Sequence, residues 1–401
     1  LARWAPLAGA GQRVESASCA ADAPPPARRA GKDHLKSIVT ALGALFLTVL
    51  AVEVPAVVGW VDYRYSIGFA ERSAAPKPKP YPIHTEVHEK ARGDLISFYG
   101  LPTETRDIVF RTDQHGFRNP SDRARAALVV IGDSFVVNPV IAEPDLFTTV
   151  LGRRLGVSVA NIAHSGWGPY HELDALRRVG LPLQPRVALW VFYEGNDLAD
   201  TLTYSGGEVG WRDRLFLSSA YLRLAALAER VLYGETRRNY SWPAGAPPFG
   251  SCRLRCGAPP CERTYFGNLT GALSLFEEVA VQRVERLLAE AGAAARARGT
   301  TFALVFAPVK LRVYREVCDF DEDNAARRSI SNDLPERMQQ WARARGIGFV
   351  DLTPSLRAAA ARGEQVYFPD DTHWNARGNL VVGEALASAP AIVQALGGGG
   401  R

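Results

Sequence analysis

What the chain has little of narrows its class before any motif is read. It has five cysteines in 401 residues. The clustered ones, Cys252, Cys256 and Cys261, are separated by three and four residues with no histidine among them, unlike the C-x2-C spacing of common zinc sites. The chain has no block of lysine and arginine. Its net charge of +5 comes from basic residues scattered among acids, which describes a solvated surface, not a nucleic-acid footprint. No internal repeat is present, so a solenoid is excluded. Of seven histidines, His84, His88, His115, His164 and His171 show no ligand-like spacing and read as surface or structural residues. No metal or organic cofactor is expected.

Long hydrophobic runs are scarce as well, and the one at Ile38–Val61 stands out. It spans 24 residues with a single charge, Glu53, and a single proline, Pro55. About 20 apolar residues cross a bilayer, so residues 37–61 are expected to be a transmembrane anchor. A secretory signal peptide is the rival, but the run is long for one and no A-x-A-like cleavage site follows it. A buried core helix is the other alternative. Arg28, Arg29, Lys32 and Lys36 precede the run, and Arg64 and Arg72 follow it, which favours a cytoplasmic N-terminus. The cysteines agree. Cys252, Cys256, Cys261 and Cys318 would then lie outside, where two disulfides can form, with Cys19 inside. Their pairing stays open. The chain begins with Leu1, and residues 1–30 carry little weight. Residues 1–36, rich in Ala, Pro and Arg, are expected to be disordered. Residues 62–107 read as a juxtamembrane linker, with a stiff proline-rich spacer over 73–82.

The rest, residues 108–396, has the rhythm of one α/β domain. A short strand and turn occupy Ile108–Arg118. Strands are then expected at Ala127–Ile131, Val157–Ile162, Val187–Tyr193, Phe302–Phe306 and Gly348–Leu352. Helices are expected near Leu146–Leu155, His171–Val179, Ala272–Arg298, Pro335–Arg345 and Ala376–Leu396. Alternating strands and helices predict a parallel sheet covered on both faces. An insertion at about 200–270 breaks the rhythm. It holds a helical part, Asp213–Leu232, whose Leu215, Leu222, Leu224, Leu227 and Val231 suggest one apolar face, followed by the cysteine loop.

Chemistry gathers at strand ends, where open α/β sheets bind ligands. The first strand runs into Gly132-Asp133-Ser134, which places a candidate nucleophile there; a plain helix cap is the alternative. The second is followed by Asn161-Ile-Ala-His-Ser-Gly166, where a glycine lets a backbone N–H approach a ligand. The third ends in Gly195-Asn196-Asp197, and the Asn196 amide is a candidate oxyanion donor or an Asx turn. Before the last helix stands Asp370-Asp371-Thr372-His373-Trp374. An acid two or three residues before a histidine can orient its ring, and the histidine can then act as base towards a serine. Trp167, Tyr170 and Trp374 flank these stretches, either to stack on a sugar ring or to pack.

Together these four blocks resemble the SGNH (GDSL-like) hydrolases, over roughly residues 125–392. The resemblance implies a three-layer, flavodoxin-like sandwich and a Ser–His–Asp triad of Ser134, His373 and either Asp371 or Asp370. It also implies an oxyanion hole of the Ser134 and Gly166 backbone N–H groups plus the Asn196 amide. Asp371-Thr-His373-Trp374 and Pro308-Val-Lys310-Leu-Arg-Val313-Tyr314 are similar to stretches of the alginate acetylation proteins, a membrane-linked branch. The best-known member of that branch carries its D-x-H before its serine; here the order is that of ordinary esterases. The expectation is a membrane-anchored serine esterase or O-acyltransferase, acting on O-acetyl groups of an extracytoplasmic carbohydrate. A lipase or lysophospholipase-like esterase, and a non-catalytic glycan-binding scaffold, are the alternatives. Asp371 is favoured over Asp370 because Trp374 and Asn375 follow.

Overall fold

The computed structural model describes residues 30–68, 80–204, 210–233, 250–255, 262–320 and 324–397. The expectations for residues 1–29, for the spacer over 73–79 and for Cys19, Cys256 and Cys261 fall outside these residues. The chain divides into two units, Leu1–Val54 and Pro55–Arg401. The described part of the first belongs to one helix, Ala30–Val57. Its stretch His34–Val57 is long and apolar enough to cross a membrane. Only 6% of its most apolar window is buried, unlike a core helix. The helix ends at Gly59, whose left-handed φ of 82° suits a residue without Cβ.

The second unit is built on five parallel strands: β3 (Leu128–Gly132), β4 (Val159–Ala163), β5 (Val187–Tyr193), β8 (Thr301–Ala307) and β10 (Gly348–Asp351), in the order β10-β8-β5-β3-β4. Counted along the chain these are strands 5-4-3-1-2, the doubly wound order of flavodoxin-like folds. The apolar runs are continuous because both faces of the sheet are buried. Alternate residues serve opposite cores. Leu128, Val130, Leu189, Val191, Ala303 and Val305 belong to one cluster. Val129, Ile131, Trp190, Phe192, Leu304 and Phe306 belong to the other.

Helices cover both faces close to their expected positions: Phe147–Leu155, Pro169–Ala175, Leu275–Arg296, Leu334–Arg343 and Ala376–Ser388. The long one starts in a reciprocal capping box between Ser274 and Glu277. One expectation is corrected. The last helix is not continuous to Leu396; it breaks at Ala389 and resumes as Pro390–Gly397 after a 56° bend. Pro390 has no N–H to continue the ladder and its ring crowds the preceding turn.

Two smaller sheets escaped the sequence. β1 (Glu86–Arg92) pairs antiparallel with β2 (Thr105–Arg111), so the stretch read as linker contributes ordered structure. Within the insertion, β6 (Ser251–Leu254) pairs with β7 (Arg263–Tyr265) and with β9 (Cys318–Phe320). A disulfide joins Cys252 to Cys318 across β6 and β9. The insertion's helix, Phe216–Tyr233, does not present the single apolar face expected. Leu222 is buried, whereas Leu224, Leu227 and Val231 are exposed.

Candidate active site

The chain order reverses between β3 and β5, and the crevice at such a reversal is where doubly wound sheets place their chemistry. Ser134 stands there, opening the one-turn helix Ser134–Val137 at the end of β3. Asp133 caps it, its Oδ1 accepting the Phe135 N–H at 2.8 Å. Gly132 fits because a Cβ would meet Val136 Cγ2 at 2.5 Å. Asn138 closes the turn with a left-handed φ of 34°, and its amide donates to the Trp374 carbonyl at 2.9 Å. That bond joins the serine turn to the histidine loop across 236 residues of sequence. Phe135 lies between Tyr193, His373 and Trp374, with ring centroids at 3.8, 4.9 and 5.0 Å.

In the histidine loop the two aspartates part ways. Asp371 Oδ1 accepts the backbone N–H of its own loop's His373 at 2.7 Å and meets His373 Nδ1 at 2.6 Å. Asp370 turns away and pairs with Arg106 of β2, whose guanidinium lies 4.1 Å over the Phe368 ring. Burial opposes charge on the His373 imidazole, but the Asp371 carboxylate and its hydrogen bond, with Asp94 and Asp133 nearby, outweigh it and raise the ring to about 9. Burial likewise opposes charge on Asp371, and the facing imidazolium overrides it, holding the carboxyl down at about 2. His373 Nε2 is buried and has no hydrogen-bond partner among the described residues.

Two further residues hold this loop. Asp94, which sequence reading passed over, donates its N–H to Asp371 Oδ2 at 2.9 Å. Its carboxylate accepts the Thr372 N–H at 2.9 Å and the Thr372 hydroxyl. Burial and the nearby Asp371 charge push Asp94 up to about 6. Lys310 Nζ donates to the carbonyls of Tyr265 at 2.8 Å and Phe368 at 2.6 Å. Its burial lowers it to about 8 against the pull of Asp371, Asp94 and Asp370. The stretch Pro308–Tyr314 therefore has a physical task. Lys310 and Tyr314, whose hydroxyl accepts the N–H groups of Val366 and Tyr367 at 2.7 and 3.0 Å, fix residues 366–369. Arg312 pairs with the fully buried Glu194 after β5, at 2.5 Å. No signal in the sequence links Asp94 to a loop 277 residues away; Lys310 stood within a flagged motif.

Asp94, Asp371 and His373 each bring one donor atom within 4.8 Å of the others, a spacing that would suit a cation. Both oxygens of each carboxylate, however, already accept hydrogen bonds from Asp94, Thr372 and His373. The trio is thereby accounted for as a hydrogen-bonded charge system.

The opposite side of the crevice is built from β4 and β5. Gly166 lies three residues past β4 with φ 78°; an added Cβ would meet nothing within 4 Å, so conformation, not space, selects glycine there. Asn161 braces the serine turn, its amide donating to the Val136 carbonyl at 3.0 Å. Asn196 caps the helix Asp197–Thr203, and its amide donates to Asp200 at 2.8 Å. The same side chain also hydrogen-bonds the Asp133 carboxyl. Behind it sit Asp133, Glu172 and Asp197, all fully buried. Burial first, then their mutual repulsion, raises Glu172 and Asp197; burial raises Asp133, and burial with the Asp133 charge takes Asp200 up to about 7. Trp167, Tyr170 and Trp374 are buried. Trp374 packs against Phe135 and Phe147, and Tyr170 donates to Asp213 at 2.9 Å; packing is thus their role.

The sheet order, the serine at the reversal and the acid-held histidine resemble the arrangement of the SGNH hydrolases. Residues 273–398 match the family described as "SGNH hydrolase-like domain, acetyltransferase AlgX". A stretch of 91 residues is 35% identical to the probable alginate O-acetylase AlgJ of Pseudomonas putida, covering 23% of this chain and 22% of that protein. Both matches are to proteins of alginate acetylation. The matched stretch is under a quarter of the relative's length. Among solved structures, a catalytic mutant of Axe2, an acetylxylan esterase from Geobacillus stearothermophilus, is 10% identical. It is matched over 69% of this chain and 96% of its own, with a TM-score of 0.36. A G-D-S-L family lipolytic protein from Desulfitobacterium hafniense is 12% identical, matched over 65% and 98%, with a TM-score of 0.35.

Proposed function

We propose that the chain is a membrane-anchored serine acyl-ester hydrolase or O-acyltransferase acting on O-acetyl groups of an extracytoplasmic carbohydrate. One observation carries the reading: a buried His373 held through Nδ1 by Asp371 at 2.6 Å, beside the serine turn, with Nε2 left without a partner among the described residues. A serine hydroxyl is a weak nucleophile until a base takes its proton. In this reading Ser134 Oγ attacks the ester carbonyl carbon and His373 Nε2 takes the hydroxyl proton. Asp371 fixes the tautomer and balances the imidazolium. The negative charge that develops on the carbonyl oxygen is met by the N–H groups of Ser134 and Gly166 and by the Asn196 amide. Collapse breaks the bond from the carbonyl carbon to the sugar oxygen, which takes the proton from His373 and departs as a hydroxyl, leaving an acetyl-Ser134 ester. Water or a second sugar hydroxyl, deprotonated by His373, then attacks this ester; the bond to Ser134 Oγ breaks, His373 returns the proton to it, and acetate or an acetylated sugar leaves.

The carbohydrate part of the proposal is supported by the AlgX-type family match and the AlgJ relative. Residues 37–61 serve as the anchor, residues 108–396 as the catalytic domain with its insertion at about 200–270, and the Cys252–Cys318 bridge suits an oxidising, extracytoplasmic site. The test is turnover of a chromogenic acetyl ester by Ser134→Ala, His373→Ala and the double variant. Each single change should abolish turnover with the fold intact, and the double should be no worse, because triad members act as a unit. Near-wild-type turnover in either single variant overturns the assignment.

A further inference from the structure

A second surface of the molecule remains outside the chemistry. The helix Phe216–Tyr233 turns Leu222 and Ala225 into the protein. Along its other side Tyr221, Leu224, Leu227 and Val231 are 52, 64, 57 and 75% exposed among the described residues. Their spacing of three, three and four keeps them on one side of a helix. The preceding turn, Trp211–Arg214, exposes Trp211 beside the guanidinium of Arg212. An exposed apolar face of this length is costly in water and marks an interaction site.

What covers it is indicated by where it sits. Residues 58–68, the continuation of the apolar run, are bound to this same corner. The Tyr63 N–H donates to the Arg214 carbonyl at 3.1 Å. Tyr63 and Phe216 meet edge to face at 5.5 Å. Arg223 donates to the carbonyls of Ile67 and Gly68 at 2.6 and 2.8 Å. Trp60, 83% exposed, lies in this continuation. Charge agrees: from Trp211 to Tyr233 the acids are Asp213, buried against Arg283 and Arg286, and Glu229, against four bases, Arg212, Arg214, Arg223 and Arg230. An apolar stripe with tryptophans and a cationic rim is the make-up of a helix lying in the headgroup boundary of an anionic bilayer.

We propose that the helix Phe216–Tyr233 lies in the plane of the membrane, its Tyr221, Leu224, Leu227 and Val231 face in the headgroup–acyl boundary of the leaflet from which residues 58–68 emerge. This rests on the reading of the apolar run as an anchor. The domain is then attached twice, by a span and by a surface helix, and the insertion that interrupts the α/β rhythm has a purpose.

The full chain is reconstituted in vesicles of phosphatidylethanolamine with a minority of phosphatidylglycerol, containing a lipid with a photoreactive diazirine in its acyl chain. Labelled peptides are identified by mass spectrometry, with the helix Leu334–Arg343 as the water-facing control. Label is expected within 35–58 and within 216–228, several-fold above the control. Leu224→Glu with Leu227→Glu should bring 216–228 down to the control and leave 35–58 and esterase turnover unchanged. Label on 35–58 with 216–228 at the control level overturns the surface helix while the anchor stands. Label on 216–228 alone sinks the anchor but keeps the surface attachment. No label on either sinks both. Crosslinks between two copies through 216–228, without lipid label, would reassign the face to a dimer.

Discussion

The two walls of the crevice are built in opposite ways. The histidine wall is fastened from every direction. Asp371, Asp94, Lys310, Tyr314 and Asn138 each hold a different atom of residues 366–374. The opposite wall, with Gly166 and Asn196, is held more lightly. The Asn196 amide leans on Asp200, and the carboxyls behind it are pushed toward their neutral forms by burial. The difference teaches that a base must be aimed before substrate arrives. An oxyanion donor is aimed at a charge that exists only during reaction, so its resting contacts must leave a donor already pointing there.

The largest effect that sharpens this contrast is expected at Asp371. Asp371→Asn should cost about 10⁴-fold in kcat, the loss seen when a triad acid is neutralised and the wrong tautomer results. Asp370→Asn, which removes only the Arg106 partner, should be mild. The reverse ranking would break the assignment of the histidine wall. The pH profile gives the same answer independently. His373 must be neutral to accept a proton and is raised to about 9, so kcat/KM should climb with pH up to about 9. In Asp371→Asn that limb should fall towards 6.5, the ordinary value. The linked stability has a definite sign. The His373 contribution is complete below 6.5 and lost as pH rises through about 9. That of Asp371 is present above 3.8 and lost as pH falls through about 2.

Next comes Asn196→Ala, expected to lower kcat by about 10²–10³-fold, as for loss of one oxyanion donor, with little change in the denaturant midpoint. A smaller catalytic loss is expected at Lys310→Met, at most about 10²-fold through misplacement of the loop. Unlike Asn196→Ala, it should also lower stability, by roughly 1–3 kcal/mol for each carbonyl left unpaired. If Asn196→Ala unfolds the protein and Lys310→Met leaves its stability untouched, the contrast between the walls is inverted.

The parallel sheet was legible, and the residues of the proposed site could be picked out, because each rests on a local signal. Continuous apolar runs mark strands buried on both faces, and Ser134, Gly166, Asn196 and His373 each follow a strand end or precede a helix cap. Asp371 over Asp370 was readable only as a leaning; the structure separates them through Arg106, which lies 264 residues from Asp370. Asp94 was illegible for the same reason, since its partners are remote and its own neighbours carry no motif. β6, β7 and β9, at three or four residues each, are too short to show alternation. The helix Phe216–Tyr233 was read as having one apolar face because its leucines recur at helical spacing. Periodicity says which residues share a side of a helix, but not which side faces protein.

The account depends most on Ser134 being the group that His373 activates. Reaction of the full chain with a chromogenic alkyl phosphonate ester, followed by mass mapping, tests this directly. The account predicts a single stoichiometric adduct on Ser134, absent in Ser134→Ala and strongly slowed in His373→Ala. An adduct on any other residue, or equal labelling of wild type and His373→Ala, would contradict it.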